Sequence, residues 1–223
     1  IEQMEGKAQG LSDSAGISYS TAWEYILVLD LLVDLLYLPA ECTAWGVVSE
    51  DGSYLCHNTD GPYSRAGKPP YYRIIYKPRD ANGQEIGQDF VGLTAHFVSV
   101  MLGENDAGLA ITYNTVIQKN PKVGLTVSFM IRTVLYECET FDQAVQKIQG
   151  LLETEGNSYG AQGANLLLMD FKTDRLARIE ISSTKVNVTE ATGYPKWVAA
   201  TNHYILQPEE NIPDYQSSFI RYD

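Results

Sequence analysis

Apolar positions recur along this chain at two different periods, and the period changes near residue 41. From Thr21, the residues Ile26, Leu29, Val33 and Leu36 repeat on one face at helical spacing. Thr21 and Glu24 have the spacing of a capping box, and Pro39 ends the pattern. Asp30 and Asp34 lie one turn apart on the other side, as on a solvated helix face. Upstream, residues 4–9 read as a short helix ending near Gly10. Beyond Cys42 the apolar runs shorten to strand length. Strands are predicted over residues 43–49 and 53–58, joined by the Glu50-Asp51-Gly52 turn, and over 71–77. Residues 90–100 read as one strand or a pair, and 108–114 follow the Asn105-Asp106-Ala107-Gly108 turn. Residues 78–89 are polar and read as a surface hairpin loop.

Two consecutive helices come next. Residues 127–138 are apolar on most sides, as in a helix buried between layers. Residues 140–152 open with Thr140-Phe141-Asp142-Gln143, a second capping box. A loop of small residues, 156–163, leads to strands over 165–170, 176–182, 185–190 and 197–202, with a turn at Asp170–Asp174. Strands, then two helices, then strands imply an α+β class of antiparallel layers rather than an alternating doubly wound sheet.

Composition narrows the function classes. At 223 residues the chain fits one domain or a small pair with a full core. Its formal net charge of -12 opposes non-specific binding to nucleic acid or an anionic membrane, and an anionic substrate would need a local basic site. The apolar stretch 25–39 is too short and too acidic to span a membrane. Fifteen tyrosines suit strands and an aromatic-lined cleft equally well. Because the chain begins at Ile1 and stops at Asp223 within a helix-like start, a longer natural protein is expected. A signal peptide is left open, a cytoplasmic location is the working expectation, and a homo-oligomer is compatible with the composition.

Three cysteines, Cys42, Cys56 and Cys138, cannot all pair and show no CxxC spacing. Cys56 and His57 are adjacent, so on a strand they point to opposite faces, and no metal or other cofactor is expected. Cys42 stands where the helical pattern gives way to strands, with Asp60 one hairpin away. That placement suits an N-terminal nucleophile exposed by cleavage of its own precursor. The alternatives are a buried structural cysteine, or a redox-sensing thiol at Cys42 or Cys56.

Several motifs, in order, resemble one family. Cys42-Thr43-Ala44-Trp45-Gly46, Asp51-Gly52 and Asn58-Thr59-Asp60 resemble the start of mature cysteine Ntn-hydrolases. Gly103–Ala110, Ala164-Asn165-Leu166-Leu167-Leu168-Met169-Asp170, Ala200-Thr201-Asn202-His203-Tyr204 and Ser217-Ser218-Phe219-Ile220-Arg221-Tyr222 extend the match. Together they resemble the acyl-coenzyme A:isopenicillin N acyltransferase family (peptidase family C45). The resemblance implies an αββα sandwich of two antiparallel sheets flanked by helices. It implies a pro-segment over residues 1–41 and a catalytic domain over 42–223.

The resemblance also assigns roles. Cys42 matches the nucleophile, and the Glu41–Cys42 bond matches the autocleavage site. Asp60 matches the carboxylate that orients the new α-amine. Asn202 matches an oxyanion-hole donor, and Asn114 a second polar donor. His57 occupies the place where the family commonly has arginine, and Glu41 the place where it often has glycine. His57 lacks the guanidinium fork and titrates near neutral pH. The implied partner is a small-molecule amide or acyl donor. Without the family, Asp60 and Asn114 read as turn residues. Asn165 reads as satisfying buried backbone, His96 as a core histidine, and His203 as a residue that orients Asn202. Amide hydrolysis, acyl transfer and a dormant binding protein all remain open readings.

Overall fold

The computed structural model describes residues 2–35, 41–60, 72–94, 100–121, 125–154, 162–212, 218–219 and 222. His96, Tyr63, Tyr71, Pro39 and most of the small-residue loop near 156–163 lie outside them. Two helices come first, α1 (Glu2–Ala15) and α2 (Tyr19–Leu35), and they pack on each other. The helix expected over residues 4–9 therefore runs on to Ala15. Gly6 and Gly10 sit inside it, each costing about 1 kcal/mol relative to alanine. Gly16, at φ 66, is the glycine that ends it, donating its N–H to the Ser12 carbonyl. The second start is also corrected. Ser18, not Thr21, caps α2: its Oγ accepts the Thr21 N–H at 3.2 Å and lies 2.7 Å from the Thr21 hydroxyl.

Among the described residues, ten strands follow in two antiparallel sheets. A three-stranded sheet has the order β10 (Lys196–Ala200), β1 (Glu41–Ser49), β2 (Gly52–Asp60). A seven-stranded sheet runs β3 (Tyr72–Tyr76), β4 (Phe90–Thr94), β5 (Leu102–Asn105), β6 (Leu109–Ile117), β7 (Gln162–Asp170), β8 (Arg175–Ile181), β9 (Val186–Glu190). Of the 90–100 region, the described residues hold one strand, β4, and β5 begins after it at Leu102. Helices α3 (Val127–Glu137) and α4 (Phe141–Thr154) lie between β6 and β7 in sequence. The Thr140 capping box forms in full. Thr140 Oγ1 accepts the Gln143 N–H, and Gln143 Oε1 accepts the Thr140 N–H. The class is thus α+β with two antiparallel sheets and four helices among the described residues.

The seven-stranded sheet is covered on both faces. On one, Leu109, Ile111, Leu166, Leu168, Ile179 and Ile181 pack with Met130, Ile131 and Leu135 of α3 and Ile148 of α4. On the other, Leu167, Met169 and Leu176 meet Ala44, Val48, Val198 and Ala200 of the three-stranded sheet. Small residues let the two sheets approach closely. A Cβ on Gly46 would lie 2.7 Å from Leu176 Cδ1, so a larger residue there would have to push the Leu176 side chain aside. The outer face of the three-stranded sheet carries the exposed side chains of Trp45, Tyr54 and Trp197.

Candidate active site

Strand alternation decides which side chains of the β1–β2 hairpin enter the space between the sheets. Along β1, Cys42, Ala44, Gly46 and Val48 are buried, while Trp45 is exposed. Cys42 pairs with Thr59, and Ala44 pairs with His57, so these four share the inner side. Cys56 pairs with Trp45 and belongs to the other side, away from His57. Among the described residues no cluster of His, Cys, Asp or Glu is suited to a metal.

Cys42 is only 2% exposed. Its backbone N–H donates to Asn202 Oδ1 at 2.7 Å. Asn202 in turn donates Nδ2 to the Thr115 carbonyl at 2.7 Å. The two partners fix the amide orientation, since a backbone N–H needs an oxygen and a carbonyl needs an N–H. The Asn202 N–H donates to Ser218 Oγ, itself 2.8 Å from His203 Nδ1. His203 therefore orients Asn202 through Ser218, and its ring stacks on Phe219.

A row of buried polar side chains crosses β6, β7 and β8 beneath this point. Asn114, Asn165 and Glu180 are in register, at most 2% exposed, on the face toward the three-stranded sheet. Each grips the segment that carries Asn202. Asn114 donates Nδ2 to the Ala200 carbonyl at 2.7 Å. Asn165 donates Nδ2 to the carbonyls of Thr201 and His203 at 3.0 and 2.6 Å. Glu180 accepts the N–H groups of Ile205 and Leu206 at 2.7 and 2.8 Å. Burial pushes the Glu180 carboxyl above its ordinary range, against the pull of those N–H groups and of Arg178. Asn165 thus satisfies buried backbone, as its sequence reading held. The donor of Asn114 goes to a main-chain carbonyl, and its buried Oδ1 has no partner among the described residues.

His57 is fixed at both ring nitrogens. Nδ1 lies 2.7 Å from the Thr112 hydroxyl, and Nε2 lies 2.8 Å from the Thr59 hydroxyl. Because a hydroxyl both donates and accepts, the pair accommodates either tautomer. Asp60 pairs with Glu41 in the hairpin register, one step beyond the Cys42–Thr59 pair. The Asp60 side chain lies outside the described residues.

The structure thus brings Cys42, Asn202, Asn114 and His57 to one inter-sheet region and sets the backbones of Glu41 and Asp60 beside it. Sequence reasoning passed over Thr112, Ser218 and Glu180. Only Ser218 had a signal, as part of the Ser217-Ser218 motif.

Three comparisons place the chain among known proteins. Two structures of conjugated bile acid hydrolase from Clostridium perfringens align at 17% and 16% identity, with TM-scores of 0.46 and 0.47 and with 74% and 81% of this chain covered. Penicillin V acylase from Agrobacterium tumefaciens aligns at 16% identity with a TM-score of 0.39 over 82% of this chain. The chain spans about half of those proteins, 55%, 56% and 47% of their lengths. No curated protein sequence matches it. The family model described as acyl-coenzyme A:6-aminopenicillanic acid acyl-transferase matches residues 47–223, beginning five positions after Cys42. With most of its length matched by that model, the chain belongs to the acyl-coenzyme A:6-aminopenicillanic acid acyl-transferase family.

Proposed function

We propose that this chain is a self-processing N-terminal-nucleophile cysteine enzyme that cleaves or forms a linear amide through a thioester. Residues 1–41 form the pro-segment and 42–223 the catalytic domain. The observation that carries the reading is the 2.7 Å hydrogen bond from the Cys42 N–H to Asn202 Oδ1. It supports a role for the backbone nitrogen of Cys42 and not for the thiol alone.

Hydrolysis of the Glu41–Cys42 peptide bond would turn that nitrogen into an α-amine. Such an amine has a pKa of about 8 and accepts a proton near neutrality. Asn202 Oδ1 then holds one amine N–H and leaves the lone pair for the thiol. The amine takes the Sγ proton, and the thiolate attacks the substrate carbonyl. The carbon–nitrogen bond breaks as the amine returns its proton to the leaving nitrogen, leaving a thioester on Cys42. Water or a second amine attacks the thioester and releases the thiol. Asn202 Nδ2 supplies the oxyanion contact, a type of interaction whose loss typically costs about 3–4 kcal/mol of transition-state stabilisation. Asn114 supports it by fixing the Ala200 carbonyl. Asp60 orients the amine, and His57, held by Thr59 and Thr112, takes the arginine position. Hydrolysis is favoured over acyl transfer because water is always present.

A second reading, a dormant binding protein of the same fold, draws on Glu41 at the scissile position, on His57 and on the burial of Cys42. Intact mass of the purified chain beside a Cys42→Ala variant separates the two. Self-processing requires that the native chain split between Glu41 and Cys42 while the variant stays whole. If both stay whole after long incubation, the amine base never forms and the dormant reading takes over. Adding a competing amine to a cleaved substrate and weighing the products then divides hydrolysis from transfer.

A further inference from the structure

Ser218 Oγ is the meeting point of three short contacts behind Asn202. It accepts the Asn202 N–H at 2.7 Å, and it lies 2.8 Å from His203 Nδ1 and 3.0 Å from Thr201 Oγ1. Thr201 Oγ1 is also 3.0 Å from His203 Nδ1 and 3.0 Å from the Ser218 carbonyl. All four residues are at most 5% exposed, so their polar atoms depend on one another.

The protons in this cluster can be counted. A carbonyl only accepts, so the Thr201 hydroxyl gives its one proton to the Ser218 carbonyl. A backbone N–H only donates, so Ser218 Oγ receives that of Asn202. One hydroxyl proton, that of Ser218, remains for two contacts, with Thr201 Oγ1 and with His203 Nδ1. Given to Nδ1, it leaves Thr201 Oγ1 set lone pair against lone pair toward both Ser218 Oγ and a bare Nδ1, at 3.0 Å each. Given to Thr201, it leaves the His203 contacts to a proton on Nδ1, shared between Ser218 Oγ and Thr201 Oγ1. Only the second arrangement puts a proton in every contact.

We infer that His203 is held as the Nδ1–H tautomer and that, together with Ser218, it is a positioning residue for Asn202. The Nδ1 proton keeps the Ser218 hydroxyl turned toward Thr201 and an oxygen lone pair turned toward the Asn202 N–H. Asn202 is then fixed at three atoms. Ser218 holds its main-chain nitrogen, the Cys42 N–H holds Oδ1, and the Thr115 carbonyl holds Nδ2, each at 2.7 Å. The His203 ring stacks on Phe219 at 4.0 Å and stands edge-on to Tyr222 at 5.6 Å. The Tyr222 hydroxyl oxygen in turn accepts Arg178 Nη2 at 2.9 Å. The side chains that pack the ring thus belong to the same short stretch, 218–222, as the hydroxyl that holds Asn202. The effect on cleavage rests on the active-site reading above. The tautomer and the hydrogen bond at position 42 are testable without it.

The test pairs His203→Asn with His203→Gln. Both lose the same ring packing. The amide nitrogen introduced by His203→Asn reaches the place of Nδ1, and that introduced by His203→Gln the place of Nε2, so their difference isolates the proton. In the uncut Cys42→Ala protein, proton–nitrogen NMR of the neutral His203 ring should show the proton on Nδ1. In the same protein, exchange of the amide hydrogens at positions 42 and 202 should quicken about tenfold with Ser218→Ala or His203→Gln, and stay near its starting rate with His203→Asn. In the chain with Cys42 intact, Glu41–Cys42 cleavage should slow about tenfold to a hundredfold with Ser218→Ala or His203→Gln, the effect of a small misplacement at a reacting centre, and recover most of its rate with His203→Asn. A neutral ring protonated on Nε2 overturns the inference, as does equal amide exchange in the two His203 variants. Equal cleavage rates in those two variants of a chain that does split overturn it as well. If the tautomer and the exchange pattern hold while the native chain stays whole, the positioning of Asn202 stands and the self-processing reading falls.

Discussion

Strand β7 sends Ala164, Leu166 and Leu168 to one face of its sheet and Asn165, Leu167 and Met169 to the other. The first face is dry. It closes on α3 and α4 through a continuous apolar cluster, where burial of each large side chain contributes about 1.5–3 kcal/mol. The second is apolar only toward Met169 and Leu176. At its other end Asn114, Asn165 and Glu180 replace hydrocarbon with hydrogen bonds to the 200–206 segment. Dispersion and hydrophobic burial are tolerant of small displacements, whereas a buried hydrogen bond fixes both distance and direction. One sheet thus takes its stability from one side and its positioning from the other.

The largest effect should come from the dry face. Leu168→Ala is expected to lower stability by about 2–5 kcal/mol, read as a lower urea midpoint. If the native chain self-processes as proposed and the faces are independent, the fraction still folded should process the Glu41–Cys42 bond at an unchanged rate. Loss of processing in a folded variant would break the comparison. Glu180 tests the wet face through pH. Its raised native carboxyl binds a proton more readily than the unfolded chain does. Its contribution to stability is therefore whole below the ordinary carboxyl value of 4.5 and is lost as pH rises through the raised native value. Glu180→Gln should flatten that part of the stability–pH curve, measured by urea midpoints from about pH 4 to pH 8. An unchanged slope would show that Glu180 binds protons equally in the folded and unfolded chain. The smallest effect belongs to Thr112→Val. It removes the hydroxyl at His57 Nδ1 and should cost about 1 kcal/mol while moving the His57 ring resonances seen by NMR. No shift would detach His57 from the sheet.

Much of the fold was legible because its signals are local. Thr140 and Gln143 sit three residues apart and cap one helix, and Glu50-Asp51-Gly52 joins two strands that pair along their whole length. The misreadings were local too. Ser18, Ser20 and Thr21 offer several hydroxyls within one turn, and spacing alone does not say which one caps α2. Gly6 and Gly10 look like breaks, yet α1 runs through both. For the site, Cys42, Asn114, His57 and Asn202 carried motif signals and do come together. The Asn114–Asn165–Glu180 row was invisible, because it depends on the register of β7 and β8 with β6, which two helices separate from them in sequence.

The hydrogen bond between Cys42 and Asn202 joins residues 160 positions apart. It cannot form from either hairpin alone. It needs β1 seated against β10, the 200–206 segment clasped by β6, β7 and β8, and Ser218 in place. Contacts of such long sequence separation carry the greatest loop-closure cost and are among the slowest to form. If Glu41–Cys42 cleavage depends on that contact, nascent or misfolded chains have no means to release the amine. The appearance of the cut product over time would then act as a clock for completed folding, and thiol chemistry would be confined to molecules that had finished.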